Sequence, residues 1–399
     1  MKKIRFFYGM VYAIVCTGAW ALLARGAARA NALTADGETE RKIRVLIMDS
    51  EYQSYYHPSV EVFCGGQAVT YTMGSPELDN GRIKLDGGEY GISVLSVTRQ
   101  EGNPVYQGYL EIEKHPEGLL LINELPVEQY LEAVVPSEMP ADSPKEALKA
   151  QAVCARTYAY RQIEDNSLAE YGANVDDSVN YQVYYNIFPR DTVREAVQET
   201  KNQVMLYNGE LIEAYYFSTS CGVTSTDEVW GADQPADYLK SVPCEYDSDK
   251  PWSRWKTEIS WEVLTDRAQT LEGCGGSLKD LEVMKLSQNG AVVCLRVITE
   301  SGNSDIEGEY EVRSFLSPEG CIVAESDGTE TIGGRVLPSG YFSMEKDPSR
   351  AVILRGRGYG HGVGMSQTAA CEMAKEGENY KDILEYFFND IRLASTETF

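Results

Sequence analysis

Residues 123–164, NELPVEQYLEAVVPSEMPADSPKEALKAQAVCARTYAYRQIE, hold two helices of different character on either side of a proline-framed turn. Val127, Leu131, Val134 and Val135 recur at helical spacing, and Pro136 predicts the end of that first, short helix. The segment PSEMPADS then reads as an irregular loop bracketed by Pro136, Pro140 and Pro144. The second helix is strongly marked. Ser143 stands at the N-cap, Pro144 at the first helical position, and Glu146 three residues after the cap. That is a capping box with proline where its missing N–H does no harm. Ala147, Leu148, Ala152, Ala155, Ala159 and Ile163 fall on or near one face, so close packing and burial on most sides are expected.

Upstream the grammar is different. Between residues 43 and 122, short apolar runs (IRVLI, VEVFC, AVTYTM, RIKL, YGISVLSV, YLEIE, GLLLI) alternate with Gly, Asn, Asp and Pro. This is the pattern of strands and turns. Downstream, residues 192–201 predict a helix. QVMLYNGELIEAYYF predicts a hairpin closed by Asn208-Gly209. LEVMKLS, AVVCLRVIT and AVILRG predict further strands. TAACEMAKEG and YKDILEYFFN predict two helices split at Gly377. The expected fold is α+β in two parts. Residues 43–122 form a β-rich part and residues 123–395 a mixed part carrying the chemistry, behind a polar linker at 31–42.

The first 30 residues read as an export segment. Lys2, Lys3 and Arg5 precede residues 6–24, FFYGMVYAIVCTGAWALLA, which carry no charge. Ala28-Arg29-Ala30 offers a small-residue cleavage site, as in a signal peptide. The run is equally long enough for an uncleaved membrane anchor. Basic residues ahead of it favour a cytoplasmic N-terminus and an extracytoplasmic remainder. The net charge of −25 repels phosphate backbones and argues against nucleic acid as a partner, while leaving an uncharged ligand such as a sugar chain open.

Several constellations could carry chemistry. Glu138 sits between two prolines and beside Met139, where apolar neighbours would favour its protonated form. Read from these residues alone, a surface glutamate or a helix-end acceptor fits as well. Residues 356–367, GRGYGHGVGMSQ, place His361 in a glycine-rich stretch. It lacks the Lys-Ser/Thr ending of a phosphate loop, so nucleotide binding is rejected; a sugar contact and a tight structural crossing both remain. Ser218, Thr219 and Ser220 form a hydroxyl cluster without a nucleophile elbow, suited to backbone or sugar hydroxyls. Cys221 and Cys244 flank a loop and form a candidate disulfide in an exported protein. The three histidines, at 57, 115 and 361, are scattered, so no metal is expected. Tyr158, Tyr160, Tyr181, Tyr184 and Tyr185 offer aromatic faces and hydroxyls suited to sugar rings.

In this order, GLLLINELPVEQYLEAVVPSEMP, SPKEALKAQAVCARTYAY, YQVY, AYYFSTSCG, DEVWG, YLKSV and GRGYGHGVGMSQ resemble the stage II sporulation protein D family, which also includes amidase-enhancer proteins of the cell wall. The resemblance implies a lytic transglycosylase acting on peptidoglycan strands stripped of their stem peptides, with Glu138 as acid–base residue. The alternative is a non-catalytic glycan-binding enhancer of a cell-wall amidase. Around Glu138 the candidate substrate contacts are Ser137, Arg156, Tyr158, Gln182, Tyr184, Ser218, Ser220, His361, Ser366 and Gln367. The implied partners are glycan strands, a cell-wall amidase, other stage II sporulation membrane proteins, and the membrane itself through the N-terminal segment. No cofactor is expected. Many members carry His where Phe217 stands, and some bind zinc nearby; neither Phe217 nor Val223 can ligate a metal.

Overall fold

The computed structural model describes residues 32–33 and 39–398. The proposed export segment lies outside them, as does half of the linker. Among the described residues no helix is long and apolar enough to cross a membrane. The fold is α+β and divides into two compact units.

The first unit comprises the described residues up to Tyr215, together with Ala370–Tyr386 and the described residues from Asp390 on. Its centre is the strand Gly118–Pro126, whose near-continuous apolar run is buried on both faces. It pairs antiparallel with Lys42–Leu46 on one side and Tyr109–His115 on the other. Arg82–Asp86 extends the sheet at one edge, and Val175–Asp176 adds a parallel strand at the other. A second sheet orders Gln67–Thr72, Ser59–Cys64, Ile92–Val94 and Val105–Tyr106. The expected boundary at residue 122 falls inside the central strand. Its two pairings join the β-rich part to the helices that follow, so the division comes instead after Tyr215.

Helix α1 (Val127–Glu138) runs through Pro136 rather than ending there. Proline forfeits one backbone bond, but the last turn is held by Met139 N–H donating to the Val135 carbonyl (2.9 Å) and by Ser137 Oγ donating to Ala133 (2.7 Å). Helix α2 (Lys145–Asp165) buries Ala147, Leu148, Ala152, Ala155 and Ala159, as their spacing predicted, whereas Ile163 is only partly buried. It packs against α1 and against α3 (Asp191–Glu199). The expected capping box does not form. The Ser143 hydroxyl is hydrogen-bonded to the Cys371 thiol instead, and Glu146 accepts from Tyr380 N–H (2.8 Å) and from Lys149 Nζ (2.8 Å). The hairpin forms as read: Gln203–Tyr207 pairs with Glu210–Leu211, with Asn208 (φ 51°) and Gly209 (φ 90°) in the turn.

The second unit comprises Tyr216–Ala369 and Phe387–Asn389. Its antiparallel sheet orders Glu330–Ile332, Ile322–Glu325, Trp255–Ser260, Ala351–Gly356 and Phe342–Asp347. A separate three-stranded meander is formed by Leu278–Leu286, Val292–Thr299 and Asn303–Glu307. Helices α4 (Trp261–Ala268) and α5 (Glu309–Phe315) cover a core of Trp255, Ile259, Leu264, Leu281, Leu295, Val312, Val352 and Leu354. The two C-terminal helices, α6 (Gln367–Glu376) and α7 (Tyr380–Phe387), form on either side of Gly377.

Candidate functional site

Glu138 is the last residue of α1 and is partly exposed. Its Oε1 accepts the Val183 N–H at 2.7 Å, while Ser137 Oγ accepts the Tyr185 N–H at 3.2 Å. Two neighbouring side chains therefore tie α1 to one extended segment. The segment alternates: Gln182 and Tyr184 are buried, Val183 and Tyr185 are partly exposed. Two influences oppose each other at the carboxyl. The carbonyl end of a helix disfavours negative charge, and a backbone donor favours it.

The expected contacts Gln182 and Tyr184 point inward and support this arrangement rather than face a ligand. The Tyr184 hydroxyl donates to Asn123 Oδ1 (2.9 Å), and its ring packs at a tilt on Tyr130 and Tyr106. Gln182 Oε1 accepts from the Tyr130 hydroxyl (3.3 Å), and its Nε2 donates to the Ala155 carbonyl (3.3 Å). Tyr158 is also buried, its ring near Tyr215. Burial first, and then neighbouring negative groups that include Glu138, hold the Tyr130 and Tyr158 phenols well above their ordinary pKa. Arg156 is corrected outright. Fully buried, it makes two 2.7 Å bonds to the Glu128 carboxylate and donates to the Val197 and Gln203 carbonyls, so it has no surface for a substrate.

Two acids that sequence reading passed over set the approach to Val183. Asp176 accepts from Ser178 N–H and Oγ and from the Tyr55 hydroxyl (2.8 Å). Asp177 accepts from Met48 N–H (2.9 Å) and pairs with Arg99. Burial outweighs Arg99 and pushes the Asp177 carboxyl up to about 6. The adjacent acids in NVDDSVNY were the only trace of this in the sequence.

The remaining candidates come together in the second unit, around Asp247, another residue missed from sequence. Fully buried, it accepts from Ser220 N–H (2.7 Å), Ser220 Oγ (2.7 Å) and Ser366 Oγ (2.7 Å). Ser220 and Ser366 are thus internal struts, not sugar contacts. Ser218 and Gln367 remain partly exposed. The His361 ring packs against Trp230 and Phe217, and its Nδ1 accepts from Val363 N–H (3.1 Å). Burial, with the Arg313 charge adding to it, pushes this imidazole down to about 3, so it is neutral at physiological pH. Cys221 and Cys244, a candidate disulfide, are both buried free thiols. The Cys221 Sγ turns to the Val223 carbonyl and the Cys244 Sγ to Asp247. Burial and the Asp247 charge raise the Cys244 thiol to about 12, which leaves it inert. Among the described residues no three His, Cys, Asp or Glu side chains converge as metal ligands would.

Comparison with known proteins connects these features. The model of the stage II sporulation protein family matches residues 115–207, the stretch that holds α1, α2 and Val183. An uncharacterized protein of Brachyspira hyodysenteriae is 32% identical over 291 residues, covering 72% of this chain and 71% of that one. The amidase enhancer of Bacillus subtilis is 31% identical over 300 residues, covering 66% of this chain but 40% of that longer protein. Stage II sporulation protein D of Bacillus subtilis is 31% identical over 294 residues, covering 70% of this chain and 77% of that one. With similarity over most of both chains, this protein belongs to the stage II sporulation protein D family.

Proposed function

We propose that the protein is a peptidoglycan lytic transglycosylase that cleaves the bond between N-acetylmuramic acid and N-acetylglucosamine in denuded glycan strands. The observation that carries this reading is the Glu138 carboxyl, partly exposed at the end of a helix and fixed by the Val183 N–H. As an acid it protonates the departing glycosidic oxygen. As a carboxylate it then accepts the proton of the sugar's own C6 hydroxyl while that oxygen attacks the anomeric carbon. The nucleophile belongs to the substrate, so no water and no second carboxylate are required, and little positional entropy remains to be lost. The product ends in a 1,6-anhydro ring.

The site would act outside the cell, on a chain tethered or exported through residues 1–30. A cell-wall amidase would supply the stripped strands, and other stage II sporulation membrane proteins would be its neighbours. A second reading is favoured by the 31% identity to an amidase enhancer: a non-catalytic module that binds glycan and stimulates an amidase.

One experiment separates the two. Mass spectrometry of denuded glycan incubated with the protein should find anhydro ends. Glu138→Gln should reduce their formation by about 10²–10⁴-fold, the usual contribution of a general acid–base group. Reducing ends would indicate hydrolysis instead. Intact strands, with amidase stimulation preserved in Glu138→Gln, would establish the enhancer.

A further inference from the structure

A cavity of about 590 Å³ in the first unit is lined by Ser50, Glu51, Tyr52, Thr98, Arg99, Gln100 and Tyr185. Its volume falls among those of small-ligand sites, about 300–1,000 Å³. Tyr185 links it to the proposed site, because the Tyr185 N–H is the one held by Ser137, next to Glu138.

Tyr52 is the unusual member. It adopts a left-handed backbone (φ 53°), a conformation costly for a bulky side chain. Asp49 enforces it, its Oδ1 accepting from Glu51 N–H and Gln53 N–H and its carbonyl from Tyr52 N–H. The buried Tyr52 hydroxyl finds no hydrogen-bond partner among the described residues. The Asp49 turn accounts for the left-handed backbone, so the cost left over is the buried Tyr52 hydroxyl that no described residue satisfies. Behind its ring, at 4.4 Å, lies the Arg99 guanidinium. Asp177 neutralises that guanidinium, and its other donors go to the Met48, Asp49 and Thr98 carbonyls. The floor is thus rigid and carries no spare charge. The Ser50 hydroxyl accepts from Thr98 N–H (3.0 Å) and ties the two loops together.

Two aromatic rings, small hydroxyls and an amide, without a free cation, suit a neutral sugar ring better than an anion. The exposed Glu51 further disfavours a carboxylate-bearing ligand. We infer that this cavity binds a neutral N-acetylhexosamine ring of the glycan, as a subsite away from the scissile bond. The inference rests on the glycan-directed reading of Glu138. The subsite would give long strands an affinity that short ones lack.

The test is calorimetric titration of the full chain with chitotetraose. Tyr52→Gly removes the ring, and glycine accepts the left-handed backbone, so folding is retained. Gln100→Trp fills the cavity from an exposed position. Tyr52→Gly should weaken binding about tenfold, the loss expected for one aromatic contact, and Gln100→Trp at least as far by occupying the space. Tyr52→Gly should raise KM on denuded strands and leave kcat within about twofold. Chitotetraose affinity unchanged in both variants would overturn the subsite. If the wild-type protein leaves glycan uncut yet both variants lose affinity, the cleavage reading falls and the subsite stands. If the wild-type protein cuts and both variants bind as before, only the subsite falls.

Discussion

Asp247 is completely buried, and its carboxylate is the shared acceptor for Ser220 and Ser366. Asp247→Ala would leave the Ser220 N–H without an acceptor and the Ser220 and Ser366 hydroxyls with only their longer bonds to the Cys244 and Ser218 carbonyls (3.2 and 3.3 Å). The second unit should lose about 3–5 kcal/mol, measurable by urea denaturation followed through tryptophan fluorescence. Nothing in the sequence announced this residue, because its partners lie 27 and 119 positions away and no local pattern marks it. Ser137 and Glu138 were singled out for the opposite reason: they stand in a recognisable family motif, although the residues by themselves fit a helix-end acceptor as well. Their burial partners were not legible. Gln182 and Tyr184 share the motif's neighbourhood, but only the alternation of residues 182–185 across the fold shows that they face inward. Ser137→Ala tests how far positioning matters. It removes the acceptor for Tyr185 N–H and the donor to the Ala133 carbonyl, so stability should fall by about 1–2 kcal/mol. Anhydro-product formation should fall further than that stability loss explains, since the segment that holds Glu138 loses one of its two ties to α1.

Elements were read well where the signal was local and poorly where tertiary partners decided. The Asn208-Gly209 hairpin needs only backbone angles that these residue types supply, and it forms. The end of α1 was misplaced because the proline rule describes a helix interior, whereas here the missing donor falls in the last turn, which the Ser137 hydroxyl and the Met139 N–H still close on the Ala133 and Val135 carbonyls. The capping box failed because Glu146 found the amide at the start of α7, 234 residues away in sequence. The glycine-rich stretch kept both of its readings open, and its structural one now has a definite basis. Tyr359 exchanges backbone hydrogen bonds with Thr219 (3.0 and 2.8 Å), drawing the two segments together. At Gly358 (φ 81°) an added Cβ would stand 2.9 Å from the Thr219 carbonyl oxygen and 3.0 Å from Cys221 N. Gly358→Ala should therefore cost about 1–3 kcal/mol from backbone strain and overlap. A thermal melt of the variant unchanged from wild type would show that the crossing is looser than this packing implies.

At the scale of the whole molecule, two electrostatic effects compete. A net charge of −25 strains any compact state by self-repulsion, and acid relieves it. On the central sheet of the first unit, however, Glu111 and Glu124 are interleaved with Lys42, Arg44 and Lys84. Burial alone would raise the Glu124 pKa, but hydrogen bonds from Lys42 and Lys84, with their charges, bring it down from 4.5 to about 2. A carboxyl whose folded-state pKa is depressed stabilises the protein above its unfolded pKa and loses that contribution as pH falls through the folded value. Subtracting a Glu124→Gln variant from wild type removes the common background of self-repulsion and isolates this one group. At pH 7 the variant should be less stable by about 1–2 kcal/mol, after solvent screening of a partly exposed network. Between about pH 4.5 and pH 2 the gap should close, because wild-type Glu124 then takes up the proton whose absence stabilised it. Denaturation midpoints of the pair across that window decide the matter. A gap that stays constant down to pH 2 would mean that Glu124 contributes through packing, and that the charges around it are merely solvated.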